Sequence, residues 1–284
     1  MLTELHDAAA DLRARQVVAG SLAAAFADPR AASCDTQLAA PDTLLHSAWR
    51  LVAEPHGSIH RADLGFGEIP PGVVDFEPVI RWLQLDPERR ERAFQHVFGL
   101  VISKTCPPCE TEYLTSRDVF HRAQQLADIA GFYLAFGLEP SRLRRQRADH
   151  IALELEFVAL LLEKLATSSE DGQTQLEHTR IDRDALAAFL ADHLTTWAPA
   201  FGQRVVQRGI AAADGLADET ERLDARLLVG VARALCGWIV TERRCFALPP
   251  LRRVVLVDPA PADETDTACH ECESCPEPPA WPTA

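Results

Sequence analysis

Apolar residues recur along most of this chain at the three- and four-residue spacing of α-helices. The clearest case lies between about 148 and 166, where Ile151, Leu155, Val158 and Leu162 form one stripe. Leucines also occupy the other faces of this segment, so we expect it to be the central helix of a helical domain. The same spacing predicts further helices over about 5–28, 42–53, 76–84, 86–102, 115–136, 182–194, 197–212 and 217–241.

Glycine and proline interrupt this helical pattern in two long stretches. Residues 55–74 have no sustained period and are predicted to form a long loop. From about 246 the chain becomes acidic and rich in proline, and 253–257 is its one strand-like run. The pattern therefore predicts an all-α fold, with one helical domain over 1–245 and a mostly irregular tail over 246–284.

The charge and the hydropathy of the chain exclude several classes of protein. The formal net charge is −14, which disfavours nucleic acid and favours basic partners such as arginine-bearing peptides. No apolar run is long enough for a membrane helix, and the N-terminus lacks the pattern of a secretory signal. We therefore expect a cytoplasmic protein without membrane insertion, in which cysteines are normally reduced.

A polar pair, Asp149 and His150, stands at the beginning of the predicted central helix. One interpretation is a binding site at the mouth of that helix. The other is purely structural, with Asp149 as the helix N-cap and His150 bonded to a neighbouring loop.

Three motifs occur in order along the middle of the chain. The first is Cys-Pro-Pro-Cys-Glu-Thr-Glu-Tyr at 106–113, the second is Asp-His followed by Glu-Leu-Glu-Phe over 149–157, and the third is His-Leu-Thr-Thr-Trp-Ala-Pro-Ala-Phe at 193–201. Their order and spacing resemble the TorD/DmsD/NarJ family of redox-enzyme maturation chaperones. The resemblance covers about residues 90 to 205 and excludes the first 75 residues and the tail. The family usually has an aromatic residue where this chain has Cys109.

The resemblance implies a function and a set of site residues. Members of that family are all-helical cytoplasmic proteins that bind the twin-arginine signal peptide or the apoprotein of a molybdopterin oxidoreductase of the dimethyl-sulfoxide-reductase class. They hold the client back from export until its cofactor is in place. The residues that match the peptide-binding motifs are Glu110, Tyr113, Asp149, His150 and Trp197.

The chemistry of these side chains agrees with a peptide site. Carboxylates such as Asp149 and Glu110 accept a guanidinium group in a bidentate manner, and a groove between helices receives an apolar segment. Replacing both Asp149 and His150 by alanine is then expected to weaken binding without changing helicity. Trp197 has a second interpretation, as a packing anchor of the core.

Two further polar side chains receive structural interpretations. Of Glu154 and Glu156, one is expected to face water and the other to pair with an arginine such as Arg122. His193 is expected to satisfy a buried backbone group.

Cysteines in the tail suggest a separate metal site. The spacing of the tail cysteines, two residues between neighbours and a proline after the last, is typical of zinc or iron–sulfur ligands. The two cysteines of the 106–109 turn and His270 are candidates to complete such a site. The ligand set is therefore predicted as Cys269, Cys272, Cys275, Cys106 and Cys109.

Catalytic motifs are absent from the sequence, so we do not expect an enzyme. The alternative to a chaperone is a metal- or iron–sulfur-binding redox or sensor protein that uses the helical body as a scaffold. The sequence leaves open whether the chain forms a homodimer.

Overall fold

The computed structural model describes residues 2–30, 41–56, 59–99, 105–113, 118–138, 146–170 and 176–251. Over these ranges the chain is mostly helical and has no strand, which confirms the predicted all-α class. The α-helices are α1 (Leu2–Phe26), α2 (Asp42–Ala53), α3 (Glu77–Gln84), α4 (Pro87–Phe98), α5 (Val119–Ala135), α6 (Ile151–Glu170), α7 (Leu176–Phe189), α8 (Thr195–Gly215) and α9 (Glu219–Cys245).

The core lies between two packed helix pairs, α1 against α6 and α8 against α9. The apolar stripe of α6 is completely buried, including Ile151, Leu155 and Leu162. Aromatic side chains fill the centre, with Trp197 and Trp238 almost inaccessible to solvent. Burial of such a large apolar surface is the main force that holds the helices together.

Buried ion pairs tie α9 to its neighbours. Arg15 of α1 donates to both carboxylate oxygens of Glu242, at 2.9 and 2.6 Å, and Arg243 donates to both oxygens of Glu68, at 2.7 and 2.9 Å. Burial alone lowers the pKa of Arg15, but the Glu242 carboxylate more than offsets this and raises the pKa above its usual value. Each pair fixes the register of α9 because a lone buried charge is costly.

A π-helical turn, Leu190–Leu194, joins α7 to α8 without a break. Pro199 lies inside α8 and has no amide proton to donate to the preceding turn. The hydroxyls of Thr195 and Thr196 donate to the carbonyls of Leu190 and His193. The predicted separate helices over 182–194 and 197–212 are therefore one continuous helical rod over 176–215, wound irregularly around His193.

In its described part, the predicted irregular stretch 55–74 contains short 3₁₀ turns, at Glu54–His56, Arg61–Asp63 and Pro71–Val73. The described residues run to Leu251, whose carbonyl accepts a 2.6 Å hydrogen bond from the amide of Phe66.

The predicted strand over 253–257 lies outside the described residues. Among the helices that the structure describes, none has the length and apolar character needed to cross a membrane. The division into domains stays a prediction.

Candidate functional site

The Cys-Pro-Pro-Cys turn lies directly against the beginning of α6. The carbonyl of Pro108 accepts from the amide of Ile151 at 2.9 Å, and the amide of Glu110 donates to the carbonyl of Asp149 at 2.9 Å. Cys109 and His150 thus form a short antiparallel bridge. The two prolines restrict the backbone of the turn. The carbonyl of Pro108 thereby pairs with one of the amides at the N-terminus of α6, which lack a partner within the helix. The first two sequence motifs are therefore one structural unit.

Asp149 is fully buried and holds this unit together. Its carboxylate accepts from the amide and the hydroxyl of Thr111, at 3.1 and 2.8 Å. It also accepts from Nε and Nη2 of Arg147, at 3.0 and 2.9 Å. The bidentate arginine partner expected from a client peptide is thus supplied by the chain itself. A direct contact between Asp149 and a client stays a prediction.

Arg147 connects the buried carboxylate to the surface of the site. Its side chain is 39% exposed, and Nη1 lies 3.2 Å from Glu112, which in turn pairs with Arg122 at 3.6 Å. Arg122 therefore belongs to a half-exposed chain of charges on the turn. It does not pair with the glutamates of α6, which corrects the expectation for Arg122.

His150 caps the central helix. Its Nδ1 accepts a 3.2 Å hydrogen bond from the amide of Ala152, in the position where an N-cap side chain acts. Burial lowers the pKa of His150 to about 4, because the charged imidazolium is disfavoured away from water. The ring is therefore neutral at physiological pH. The structure agrees with the structural interpretation of the Asp149–His150 pair, except that His150 rather than Asp149 is the N-cap of the helix.

His193 connects the third motif to the unit that the other two form. It lies on the π-helical turn and is fully buried. Its Nδ1 is 3.2 Å from Oε1 of Glu110, and its Nε2 is 3.4 Å from Oδ2 of Asp128 on α5. Gln125 donates to Glu110 at 2.6 Å. His193 thus contacts side chains rather than the backbone group that was expected, and it joins α5 to the turn.

A hydrogen bond between Glu154 of the second motif and Trp197 of the third is the second contact between the third motif and the other two. The indole nitrogen of Trp197 donates to Oε2 of Glu154 at 3.0 Å, and both side chains are buried. Burial raises the pKa of Glu154 well above its usual value, and the neighbouring Glu110 adds to the increase. Glu154 is therefore the buried glutamate of α6, and its partner is Trp197. The packing interpretation of Trp197 agrees with this position.

Tyr113 covers the other side of Trp197. The two rings are 5.3 Å apart, and the ring of Tyr113 meets Phe201 edge to face at 6.4 Å. The guanidinium of Arg204 lies 5.9 Å above the Tyr113 ring. Tyr113 is 7% exposed, so its ring presents little surface to a client in this arrangement.

The two cysteines of the turn are also buried. The Cys106 thiol donates to the carbonyl of Val97 at 3.6 Å. Burial raises the pKa of Cys109 to about 12, with a further contribution from Asp149, so Cys109 is a thiol rather than a thiolate. Within the part of the chain that the structure describes, no three His, Cys, Asp or Glu side chains form a group that could hold a metal. Because Cys269, Cys272 and Cys275 lie outside that part, the metal site stays a prediction.

The structure brings together five residues that were not predicted from the sequence to belong to the site, namely Thr111, Gln125, Arg147, Glu154 and His193. A signal for Glu154 existed, since it lies three positions after Ile151 and hence on the buried stripe of α6. A charged residue on a buried stripe needs a partner.

Comparison with known proteins gives the class of this chain. Residues 72–203 match the family model described as nitrate reductase delta subunit, a range that contains all three motifs. A segment of 88 residues is 35% identical to "Chaperone protein TorD" of Vibrio cholerae serotype O1, which covers 30% of this chain and 35% of the relative. No solved structure gives a significant match.

Residues 72–203 thus match the TorD/NarJ family of chaperones, as the motifs predicted. Members of this family are chaperones and not enzymes.

Removing the Asp149 carboxylate is expected to destabilise the fold rather than only the binding of a client. Asp149→Ala leaves Arg147 and Thr111 without their buried partner, so the free energy of unfolding should fall by about 3–5 kcal/mol. Urea denaturation followed by circular dichroism measures this change. The matched control is Asp184→Ala, since the side chain of Asp184 is 72% exposed in a loose pair with Arg180 and should contribute less than about 1 kcal/mol. Equal stabilities of the two variants would contradict a structural role of Asp149.

The low pKa of His150 predicts a loss of stability in acid. The unfolded state binds a proton near pH 6.5 and the folded state only near pH 4, so the stability is complete above about pH 6.5 and falls as the pH decreases through that interval. His150→Asn keeps an acceptor for the cap but cannot titrate. Between about pH 7.5 and pH 5 the wild type should lose about 2 kcal/mol more than His150→Asn in urea denaturation. Parallel losses would show that His150 does not exclude the proton.

Proposed function

We propose that this protein is a cytoplasmic maturation chaperone for a molybdopterin oxidoreductase. It binds the apoprotein or its twin-arginine signal peptide before export, by reversible contacts and without catalysis. The observation that carries the proposal is the family match over 72–203, together with the single buried network that unites the three motifs within that range. The TorD chaperone of Vibrio cholerae supports the same function.

The outward face of α5 is the surface that we assign to the apolar segment of the client. Phe120 is 85% exposed, Val119 76% and Leu134 61%. Between the two ends of the helix, Ala123, Ala127 and Gly131 continue the same face at helical spacing and are also exposed. An unpaired apolar helix face of this kind is suited to an apolar peptide segment.

The inward face of α5 connects this surface to the buried network. Ile129 is fully buried, Phe132 meets the His193 ring at 5.5 Å, and the hydroxyl of Tyr133 donates to the carbonyl of Ala148 at 2.9 Å. In this proposal Glu110, Asp149, His150 and Trp197 act by positioning α5 and the turn. Their own polar atoms are engaged within the protein.

The basic pair of the signal peptide needs accessible carboxylates. Asp128 on α5 is 63% exposed and touches the protein through His193, and Glu112 on the turn is 30% exposed beside Arg147 and Arg122. Both lie beside the network, on a chain whose formal net charge is −14. Guanidinium groups pair with carboxylates through charge-assisted hydrogen bonds, so these two acids are the expected contacts.

A titration with the twin-arginine signal peptide of a molybdopterin oxidoreductase tests the proposal. We expect saturable binding in isothermal titration calorimetry, weakened about tenfold when the two arginines are replaced by glutamine. In the protein, Phe120→Ser and Leu134→Ser should each weaken binding about tenfold, because both side chains are exposed and contribute little to folding.

The matched control is Ile181→Ser, which changes an apolar side chain on another helix, α7, that is 51% exposed. This variant should bind like the wild type. Failure to bind every signal peptide and apoprotein of this enzyme class would overturn the proposed function. Equal losses in all three serine variants would refute the assignment of the client surface to α5.

A further inference from the structure

A cavity lies on α8, outside the three motifs. Its volume is about 490 Å³, which is in the range of small-molecule sites. It is formed between the segment 61–68 and the face of α8 that carries Gln203, Arg204 and Gln207.

The residues that line the cavity carry a net positive charge, whereas the protein as a whole is negatively charged. Arg61 and Arg204 contribute two positive charges, while Glu68, the one carboxylate among the described residues that line it, is held by Arg243 at 2.7 and 2.9 Å. Among the described residues, no carboxylate pairs with Arg61. A basic cavity on a chain with a net charge of −14 is therefore a local feature rather than a consequence of composition.

The walls of the cavity are held in place before any ligand arrives. Gly67 has a φ of +76°, and a Cβ there would lie 2.5 Å from the carbonyl oxygen of Pro199, so the loop is pressed against α8. The side chain of Gln203 donates to the carbonyl of Gly67 at 3.0 Å. Arg204 is oriented by a 2.9 Å hydrogen bond to the carbonyl of Thr105 and by the ring of Tyr113. Preorganised donors bind a ligand at a lower entropic cost.

We propose that this cavity is a binding site for an oxyanion, a phosphate or carboxylate group received by Arg61 and Arg204. Guanidinium groups are the side chains that bind such groups through paired hydrogen bonds. Gln207 offers an amide donor on the same wall, and Phe66, 37% exposed, offers an apolar one. The site goes beyond the proposed binding of a client, although Arg204 also touches Tyr113 of the first motif.

The oxyanion comes from one of two sources, either a free ligand or the acidic tail of the chain itself. Leu251 pairs with the loop that forms the cavity wall, and a Cβ at Gly65 would touch the backbone of Leu251. The sequence after Leu251 carries carboxylates at Asp258, Asp263 and Glu264. A tethered carboxylate has an effective concentration of about a millimolar, so it would compete with a free ligand.

Calorimetric titration of the full-length protein with inorganic pyrophosphate and with citrate, at low ionic strength, tests the site. The key variant is Arg61→Gln, which removes an exposed charge without breaking a described ion pair. The matched control is Arg208→Gln, because Arg208 is exposed on α8 and does not line the cavity. Arg61→Gln should weaken binding of at least one probe about tenfold or more, and Arg208→Gln by less than about twofold.

A tail variant with Asp258→Asn, Asp263→Asn, Glu264→Gln and Asp266→Asn distinguishes the two sources. Binding that strengthens about tenfold in this variant identifies the tail as the resident oxyanion, whereas unchanged binding identifies a free ligand. Both results support the site. Two results would overturn it: no binding of either probe to the wild type or the tail variant at about 10 mM, or equal losses in Arg61→Gln and Arg208→Gln. Neither depends on client binding, so the test is independent of the proposed function.

Discussion

Three buried carboxylates determine the architecture of the site. Glu110, Asp149 and Glu154 are all inaccessible to solvent, and a buried carboxylate is tolerated only when it is paired, hydrogen-bonded or protonated. The Asp149 carboxylate accepts hydrogen bonds from Arg147 and Thr111. Glu110 contacts the side chains of Gln125 and His193. Glu154 accepts a hydrogen bond from the indole of Trp197. These partners come from the turn, from α5, from the segment that leads into α6, and from the π-helical turn with the first turn of α8. The positions of all four elements are therefore coupled.

This coupling separates two roles that the sequence motifs combine. The residues that identify the family lie mostly inside the protein, where they satisfy one another. The surface that we propose for a client lies one layer further out, on α5 with its exposed Asp128 and on the partly exposed Glu112. On this proposal a substitution in the inner layer is expected to change binding indirectly, through the position of α5. A substitution on the outer face of α5 is expected to change binding directly, with little effect on stability.

The sequence predicted the helices and the family well, because apolar periodicity and motif order are local properties. It did not predict which side chains meet. Glu110 and His193 are 83 positions apart, and Glu154 and Trp197 are 43 apart, so their pairing depends on the tertiary packing of α6 against the α7–α8 rod. The predicted break between 194 and 197 is absent, because the π-helical turn Leu190–Leu194 runs directly into α8, where the hydroxyls of Thr195 and Thr196 donate to the preceding turn. His150 was expected beside the cap, yet its ring is the cap, since α6 begins at Ile151 and the Asp149 carboxylate is engaged by Thr111 and Arg147.

The most direct test of this account is amide hydrogen exchange in the turn. The amides of Glu110, Thr111 and Ile151 donate across the junction between the turn and α6, to the carbonyl of Asp149, the carboxylate of Asp149 and the carbonyl of Pro108. If the buried network locks the turn to the helix, these amides exchange only through global unfolding, together with core amides of α6 such as that of Leu161. Exchange of the turn amides at the rate of an exposed loop, while Leu161 stays protected, would contradict the account.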